Sequence, residues 1–502
     1  MINPMISKSR EIAPDRNARA TNTCRSENSS PSWLNRLGNA WRDIAGSFSG
    51  SVRPDLSSKS DIRSLRKQMQ DYLDAKGGEV SARARAASLG ETYLSLNGKG
   101  RRRFLQLMAD GFELDRAAVE SAIEDYQSAA TEDRPRLEIR LRGALEPKRI
   151  RLLTQFNTLP AGVKFLVDMR ADLLKIYRED PHLAALEHDF RSLMTSWFDI
   201  GFLKLERISW EHPASLLEKL IEYEAVHEIR GWEDLRNRLE SDRRCFAFFH
   251  PRMPEEPLIF VQVALVNGLA ANVDILLDQA APITDPKNAD TAIFYSISNT
   301  QSGLGGISFG GFLIKRVVDL LKSEFPALKT FATLSPIPGF RHWLVENLKT
   351  GKFNLSDTEL KDLKSIAELE DPGKAIGKLL DTANWYKDES LANTLQPIIM
   401  RAGAEYLAKA KRTDGVRAAN SVANFHLMNG ARIERLNWLG DTSKNGLKQS
   451  SGLMVNYLYD LERIETNHEC YSITGKTALS SSVKRLLKNR PAVKDFPKNL
   501  ID

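Results

Sequence analysis

Ala292-Ile-Phe-Tyr-Ser-Ile-Ser298 runs through Asn-Thr-Gln-Ser-Gly303-Leu-Gly305-Gly306-Ile-Ser-Phe-Gly310-Gly311 into Phe312-Leu-Ile-Lys-Arg-Val-Val-Asp-Leu-Leu321. The first segment is rich in β-branched and aromatic residues, which suit a buried strand. The last places Phe312, Leu313, Arg316, Val317, Leu320 and Leu321 at helical spacing. A strand, a glycine loop and a helix in succession make an α/β unit. Working outward, Thr330 to Leu334 is a further strand ending at Ser335-Pro336. Upstream, Cys245 to His250 and Leu258 to Val266 flank a proline-rich turn and read as a buried hairpin, with Ala271 to Leu277 as a third strand. Downstream come a mostly helical insert over 356–411, a strand over Ile433 to Leu439 and a helix near Thr477 to Lys488.

The half before this unit has little strand character. After Pro160, the residues Phe165, Leu166, Met169, Leu173, Ile176 and Tyr177 share one helical face, while Lys164, Asp168, Arg170, Asp172 and Lys175 take the other. Ile62 to Leu73, Val80 to Leu94 and Phe104 to Tyr126 behave alike, with Gly77-Gly78 as a turn. The expected class is α+β: an all-α helical bundle followed by an α/β domain. The expected division is a disordered tail over 1–60, a helical domain over 61–192, a catalytic domain over 193–490 and a tail over 491–502.

Composition narrows the function only broadly. A chain of 502 residues with 42% hydrophobic and 27% charged residues is globular and multidomain. Lys+Arg 71 against Asp+Glu 65 gives +6, too mild an excess for a dedicated nucleic-acid binder. Arg101 to Arg103 and the arginines between 134 and 151 are interleaved with acids and lack aromatic platforms, so they read as solvated helix faces or subunit contacts. Apolar runs such as Pro257 to Val266 are about half the length that spans a bilayer, so no membrane is expected. The first 60 residues hold 12 serines, as transit peptides do, but five acidic residues interrupt them. Cys24, Cys245 and Cys470 are far apart and unpaired in sequence, which fits a reducing compartment, the cytoplasm, and no zinc site. HxxxH and HExxH spacings are also missing, so no catalytic metal is expected.

Three constellations offer chemistry. Between a strand and a helix N-terminus, glycines let backbone N–H groups approach a phosphate. The loop is neither a Walker A sequence nor a dinucleotide fingerprint, because Ser308 stands where the third glycine would be. Gly306-Ile-Ser308-Phe-Gly310 also matches a nucleophile elbow, with Asp414 and His426 following in hydrolase order, although about nine residues separate Ser308 from the strand. Ser335 ends an apolar strand just before Pro336-Ile-Pro338-Gly339, which presents its hydroxyl rigidly and equally suits a helix cap. Among the histidines, His182, His188, His212, His227 and His468 read as surface or capping residues, and His250 and His342 as packed ones. His426 lies in Asn424-Phe-His-Leu-Met-Asn429-Gly430, where it suits either proton transfer or packing.

Phe294-Tyr-Ser-Ile-Ser298, Gly303-Leu-Gly305-Gly306, Phe312 to Val318, Leu334-Ser-Pro-Ile-Pro-Gly-Phe340, Asn424-Phe-His-Leu427 and Gly452-Leu-Met454 with Asn456-Tyr457 together resemble the malonyl-CoA decarboxylase family over about Arg244 to Tyr459. The resemblance implies a helical domain used in oligomer contacts, a homotetramer, and a C-terminal domain with the GNAT-type N-acetyltransferase fold. It implies malonyl-CoA as substrate and no cofactor. It carries catalysis to Ser335 and His426, and CoA binding to the loop: Gly303, Gly305, Gly306, Ile307, Ser308, Phe309, Gly310 and Gly311. Thr300 departs from the acetyltransferase loop consensus. Asn424, Asn429 and Tyr457 are candidate orienting groups. The rival readings are a serine thioesterase using Ser308, an acyl-CoA-dependent acyltransferase and a non-enzymatic CoA sensor.

Overall fold

In the computed structural model, residues 32–45, 52–74, 78–307, 312–366 and 371–488 are described. Among them, eight strands form one sheet: β1 (Lys204–Ile208), β2 (Arg243–His250), β3 (Met253–Val266), β4 (Thr291–Asn299), β5 (Thr330–Thr333), β6 (Ser335–Pro336), β7 (Arg432–Asn437) and β8 (Met454–Leu458). β1 to β4 form an antiparallel run, and the expected hairpin is β2–β3. The helix Phe312–Glu324 then carries the chain over the sheet, so β5 returns parallel to β4. Leu313, Ile314, Val317, Val318 and Leu321 are its buried stripe, whereas Leu320, read as part of that stripe, is exposed.

The residues around β5 decide where a cleft forms. β4 and β5 pair only from Thr291–Thr330 to Phe294–Thr333. Beyond Thr333 the chain parts from β4 and keeps β8, which already pairs with Ala332: Ser335 and Pro336 pair with Val455 and Met454 of β8. β4 meanwhile continues to Asn299 alongside β3 alone. A buried Asn456 stands at the parting, donating to Thr333 O at 2.7 Å and Ala270 O at 3.0 Å. The parallel pair therefore opens into a wedge at the C-terminal end of β4.

Several expected elements differ. The segment 271–277 is not a strand: Val273–Leu276 is a short helix, because Asn272 Oδ1 accepts from Ile275 N–H at 3.2 Å and caps it. Phe104 to Tyr126 splits into helices Gly98–Gly111 and Arg116–Ser128, the second capped by Asp115. The helix Pro181–Trp197 runs through residue 192. Within the expected tail, Ser32–Ala45 is a helix whose Leu37, Trp41 and Ala45, spaced by four, are buried. Residues 1–31 and 491–502 of the two tails, and Gly77 of the expected turn, lie outside the described residues.

The polar face of helix Gly162–Leu174 is another correction, since Lys164 and Arg170 are buried along with the apolar stripe. Arg101 and Arg149, expected on solvated faces, pair inside the chain with Asp172 and Asp189 at 3.1 and 2.6 Å. One continuous hydrophobic core runs from Leu37 through the helical half into the sheet domain. Trp41 anchors its near end, edge-on to Phe165 with ring centroids 4.7 Å apart and its Nε1 donating to Pro160 O. Trp41→Ala should lower stability by about 3–5 kcal/mol. Equilibrium chemical denaturation measures this, and an unchanged midpoint would show that the N-terminal helix adds nothing to the core.

Candidate active site

Ser335 and His426, 91 residues apart, meet at the wedge with Ser335 Oγ 3.3 Å from His426 Nε2. Neither position is accidental. Ser335 is held by the β6–β8 pairing, and the corner after it is fixed by Asn420 Nδ2 and Tyr406 Oη, which both donate to Pro338 O. The helix after that corner is capped by Gly339, in the left-handed region at φ 78°, so Ser335 does not serve as its cap. His426 rides on helix Ser421–Met428, whose N-terminus is capped by Asn420 Oδ1 accepting from Ala423 N–H at 2.8 Å.

The hydrogen bonds fix the ring's proton. Ser335 Oγ donates to Thr333 Oγ1 at 2.9 Å, and Thr333 Oγ1 also accepts from Tyr457 N–H at 3.1 Å. With its own proton so used, Ser335 offers a lone pair to Nε2, which then carries the ring hydrogen. Nδ1 lies 2.7 Å from Tyr459 Oη and accepts from it. Burial pushes the Tyr459 phenol well above its ordinary value, so it keeps its proton. Tyr457 stacks on the imidazole with centroids 4.5 Å apart. In this setting burial pushes the His426 pKa down to about 3, since no charged group compensates the desolvation of an imidazolium.

A cavity of about 240 Å³ opens onto the pair. Phe294 to Ile297 and Asn299 of β4 line one wall, and Ser335 and Pro336 the other, with Ser421, Val422, Phe425 and His426 above. β4 is kept in place by Glu224, which accepts from Ser296 Oγ at 2.8 Å, Ser298 Oγ at 3.2 Å and Gln262 Nε2 at 2.7 Å.

The other expected residues fall out differently. Tyr457 contacts His426 directly. Asn424 instead accepts from Tyr471 Oη at 3.0 Å, and Asn429 donates to Phe425 O at 2.7 Å, so neither touches the ring nitrogens. Gly303 packs so closely that a Cβ there would meet Val167 O at 1.8 Å, and Gly306 sits at φ 78°. Ile307 is buried beside them. Ser308, Phe309, Gly310 and Gly311 lie outside the described residues. Asp414, offered as a hydrolase acid, is exposed and caps its own turn by accepting from Val416 and Arg417 N–H. The partner of His426 is thus a phenol and not a carboxylate. His250 is packed as expected, His342 is exposed, and the Nε2 of His227 is buried with no partner among the described residues. Also among them, no group of three His, Cys, Asp or Glu side chains is placed to hold a metal ion.

Sequence reasoning missed Tyr459 and Thr333 as working parts. A signal existed for both: Tyr459 lies two residues after Tyr457, on the same face of the strand's path, and Thr333 lies two before Ser335.

A hydroxyl–imidazole pair in a half-closed cleft defines a class of protein able to move a proton on a bound group. Comparisons with known proteins narrow that class. Family profiles match residues 112–198 as the malonyl-CoA decarboxylase N-terminal domain and 201–496 as its C-terminal domain. The mitochondrial malonyl-CoA decarboxylase of Rattus norvegicus is 38% identical over 433 residues, covering 83% of this chain and 84% of that protein. The crystal structure of malonyl-CoA decarboxylase from Rhodopseudomonas palustris aligns at TM-score 0.75 and 43% identity, covering 84% of this chain and 99% of that one. That from Agrobacterium vitis aligns at 0.77 and 42%, with the same coverage. The chain belongs to the malonyl-CoA decarboxylase family.

The neutral ring leaves a pH signature. Folded His426 resists protonation while the unfolded imidazole titrates near 6.5, so this contribution is intact above about pH 7 and is lost as pH falls from 6.5 toward 3. At pH 5 the loss is on the order of 2 kcal/mol. Denaturant unfolding at pH 7 and pH 5 should show a smaller pH-dependent drop in His426→Gln than in the wild type. Equal drops would mean that the ring is not buried neutral.

Proposed function

We propose that this chain is a carboxy-lyase that converts malonyl-CoA to acetyl-CoA and CO2. The Ser335 Oγ to His426 Nε2 pair, facing a cleft at the parting of two parallel strands, carries the proposal. Loss of CO2 breaks the bond between the carboxylate carbon and C2, and the electron pair moves into the thioester as an enolate. The thioester carbonyl is itself the electron sink, so the chemistry needs only charge stabilisation and a proton for carbon. On binding, the Ser335 hydroxyl turns its proton from Thr333 Oγ1 to the malonyl carboxylate and engages it as hydrogen-bond partner. His426 stands on the opposite side of that hydroxyl; it takes up a proton from solvent when the anion binds, delivers its Nε2 proton to C2 and returns to the neutral imidazole.

The neutral ring fits this order of events. An imidazole that is uncharged in the empty cleft gains affinity for a proton when an anion arrives beside it, because a nearby negative charge favours the imidazolium. Tyr459 donates to Nδ1 and holds the ring plane, so it is a positioning residue.

The same reading takes the sheet domain as resembling the GNAT-type acetyltransferases, with the CoA diphosphate on the loop from Gly303 to Gly311. It divides the chain near Phe198, where one family profile ends and the next begins, into a helical oligomerisation domain and a catalytic domain. It takes the protein as a homotetramer. Support for an oligomer comes from the helix Arg134–Ala144, which buries none of its residues and leaves Ile139 71% exposed. The cytoplasm is proposed as its location because Cys245 and Cys470 are free, although the curated relatives are named mitochondrial. Among the described residues no helix is long and apolar enough to cross a membrane.

Purified protein incubated with malonyl-CoA alone should yield acetyl-CoA and CO2 in equal amounts by mass spectrometry. Release of malonate with free CoA would instead establish a thioesterase, and consumption only with an added amine an acyltransferase. Ser335→Ala and His426→Ala should each lower kcat by about 10²–10⁴. Ser308→Ala should change it little. Full activity of the Ser335 variant would overturn the assignment.

A further inference from the structure

The glycine loop is held from the other half of the chain. Arg170, on helix Gly162–Leu174, has no exposed side-chain surface. Its Nη1 donates to Gly303 O at 2.5 Å, and its Nη2 donates to Gly305 O at 3.0 Å and to Glu187 Oε1 at 2.7 Å. The same Glu187 oxygen accepts from Arg191 Nη2 at 3.2 Å. Arg191 is 48% exposed, and its Nη2 lies 3.9 Å from where a Cβ on Gly306 would stand.

This network sets the direction of the loop's peptide groups. In a trans peptide the C=O and the following N–H point oppositely. With Gly305 O turned toward Arg170, the Gly306 N–H points away from it, and it has no hydrogen bond among the described residues. Two guanidiniums share one carboxylate, so a positive charge is left over at this spot. Arg191 puts it 3.9 Å from where a Cβ on Gly306 would stand, at the protein surface. An exposed guanidinium fork beside Gly306, whose N–H has no partner among the described residues, matches a phosphate, which accepts from both.

We propose that the helical half supplies the cation of the CoA diphosphate site. Arg191 contacts a phosphate oxygen beside Gly306, and Arg170 is a positioning residue that turns the carbonyls of Gly303 and Gly305 away from the ligand. The helical domain therefore completes the substrate site as well as making oligomer contacts. The identity of the anion rests on the decarboxylase reading above, whereas the cationic wall rests on the geometry of the loop.

Titration calorimetry with CoA reads the wall without turnover. Arg191→Gln, a change at a half-exposed side chain, should weaken CoA binding about tenfold, the loss of one charge-assisted contact. Malonyl-pantetheine, which carries no phosphate, should be turned over by this variant with the wild-type kcat/KM. Arg170→Lys keeps the charge but cannot bridge two carbonyls and a carboxylate, and it should raise KM for malonyl-CoA more than it lowers kcat. An unchanged CoA affinity in Arg191→Gln, or an equal loss on malonyl-pantetheine, overturns the proposal. The decarboxylase reading falls separately, if the wild type forms no acetyl-CoA.

Discussion

The site depends on the loss of one strand partner. β5 lies between β4, paired for four residues, and β8, paired at Ala332, and from Ser335 the chain keeps β8 alone. Had β4 and β5 stayed zipped to Asn299, the sheet would be closed where the cleft now lies. Asn456 holds the parting open by satisfying Thr333 O at the break, and the Pro-Ile-Pro-Gly corner after Ser335 keeps the strand from returning. A proline at the second position of β6 also removes an N–H that a longer ladder would need. The strands thus separate for reasons in their own side chains, and the separation places a serine at a strand end facing a helix that carries a histidine.

What fills that wedge is mostly apolar. His426 is surrounded by Phe425, Tyr457 and Tyr459, and among the described residues no carboxylate pairs with it. An imidazole next to an aspartate is a strong base, as in hydrolases. Here the phenol of Tyr459 fixes the tautomer without adding charge, leaving a ring whose proton affinity is governed by what enters the cleft. The substrate is an anion that becomes an enolate, so the ligand brings the charge that the protein withholds. The same economy explains the loop, where the helical half contributes guanidiniums to a stretch that has glycines but no cation of its own.

Much of the sheet domain was legible because its strands are buried runs with few polar interruptions. Ala292 to Ser298 and the β2–β3 hairpin are of this kind. Residues 271–277 misled, since Val273, Ile275 and Leu276 look like a strand when the capping by Asn272 goes unweighed. The stripe at Phe165 to Tyr177 was read correctly as core, but its charged face was taken as the outer one. A periodicity shows which residues share a face and is silent on whether a second domain covers the other, so Arg170 passed unnoticed. Ser335 and His426 became legible as a pair only through the family's words. Nothing in the spacing of 91 residues joins them, and Tyr459 enters only when the strand folds beneath the helix.

The most direct test of this account is a crystal structure of the Ser335→Ala variant with unreacted malonyl-CoA. The account predicts the malonyl thioester between β4 residues 294–299 and the Pro336 corner, with C2 in reach of His426 Nε2 and the diphosphate beside Gly306. An acyl group bound outside that cleft, or turned away from His426, would contradict it.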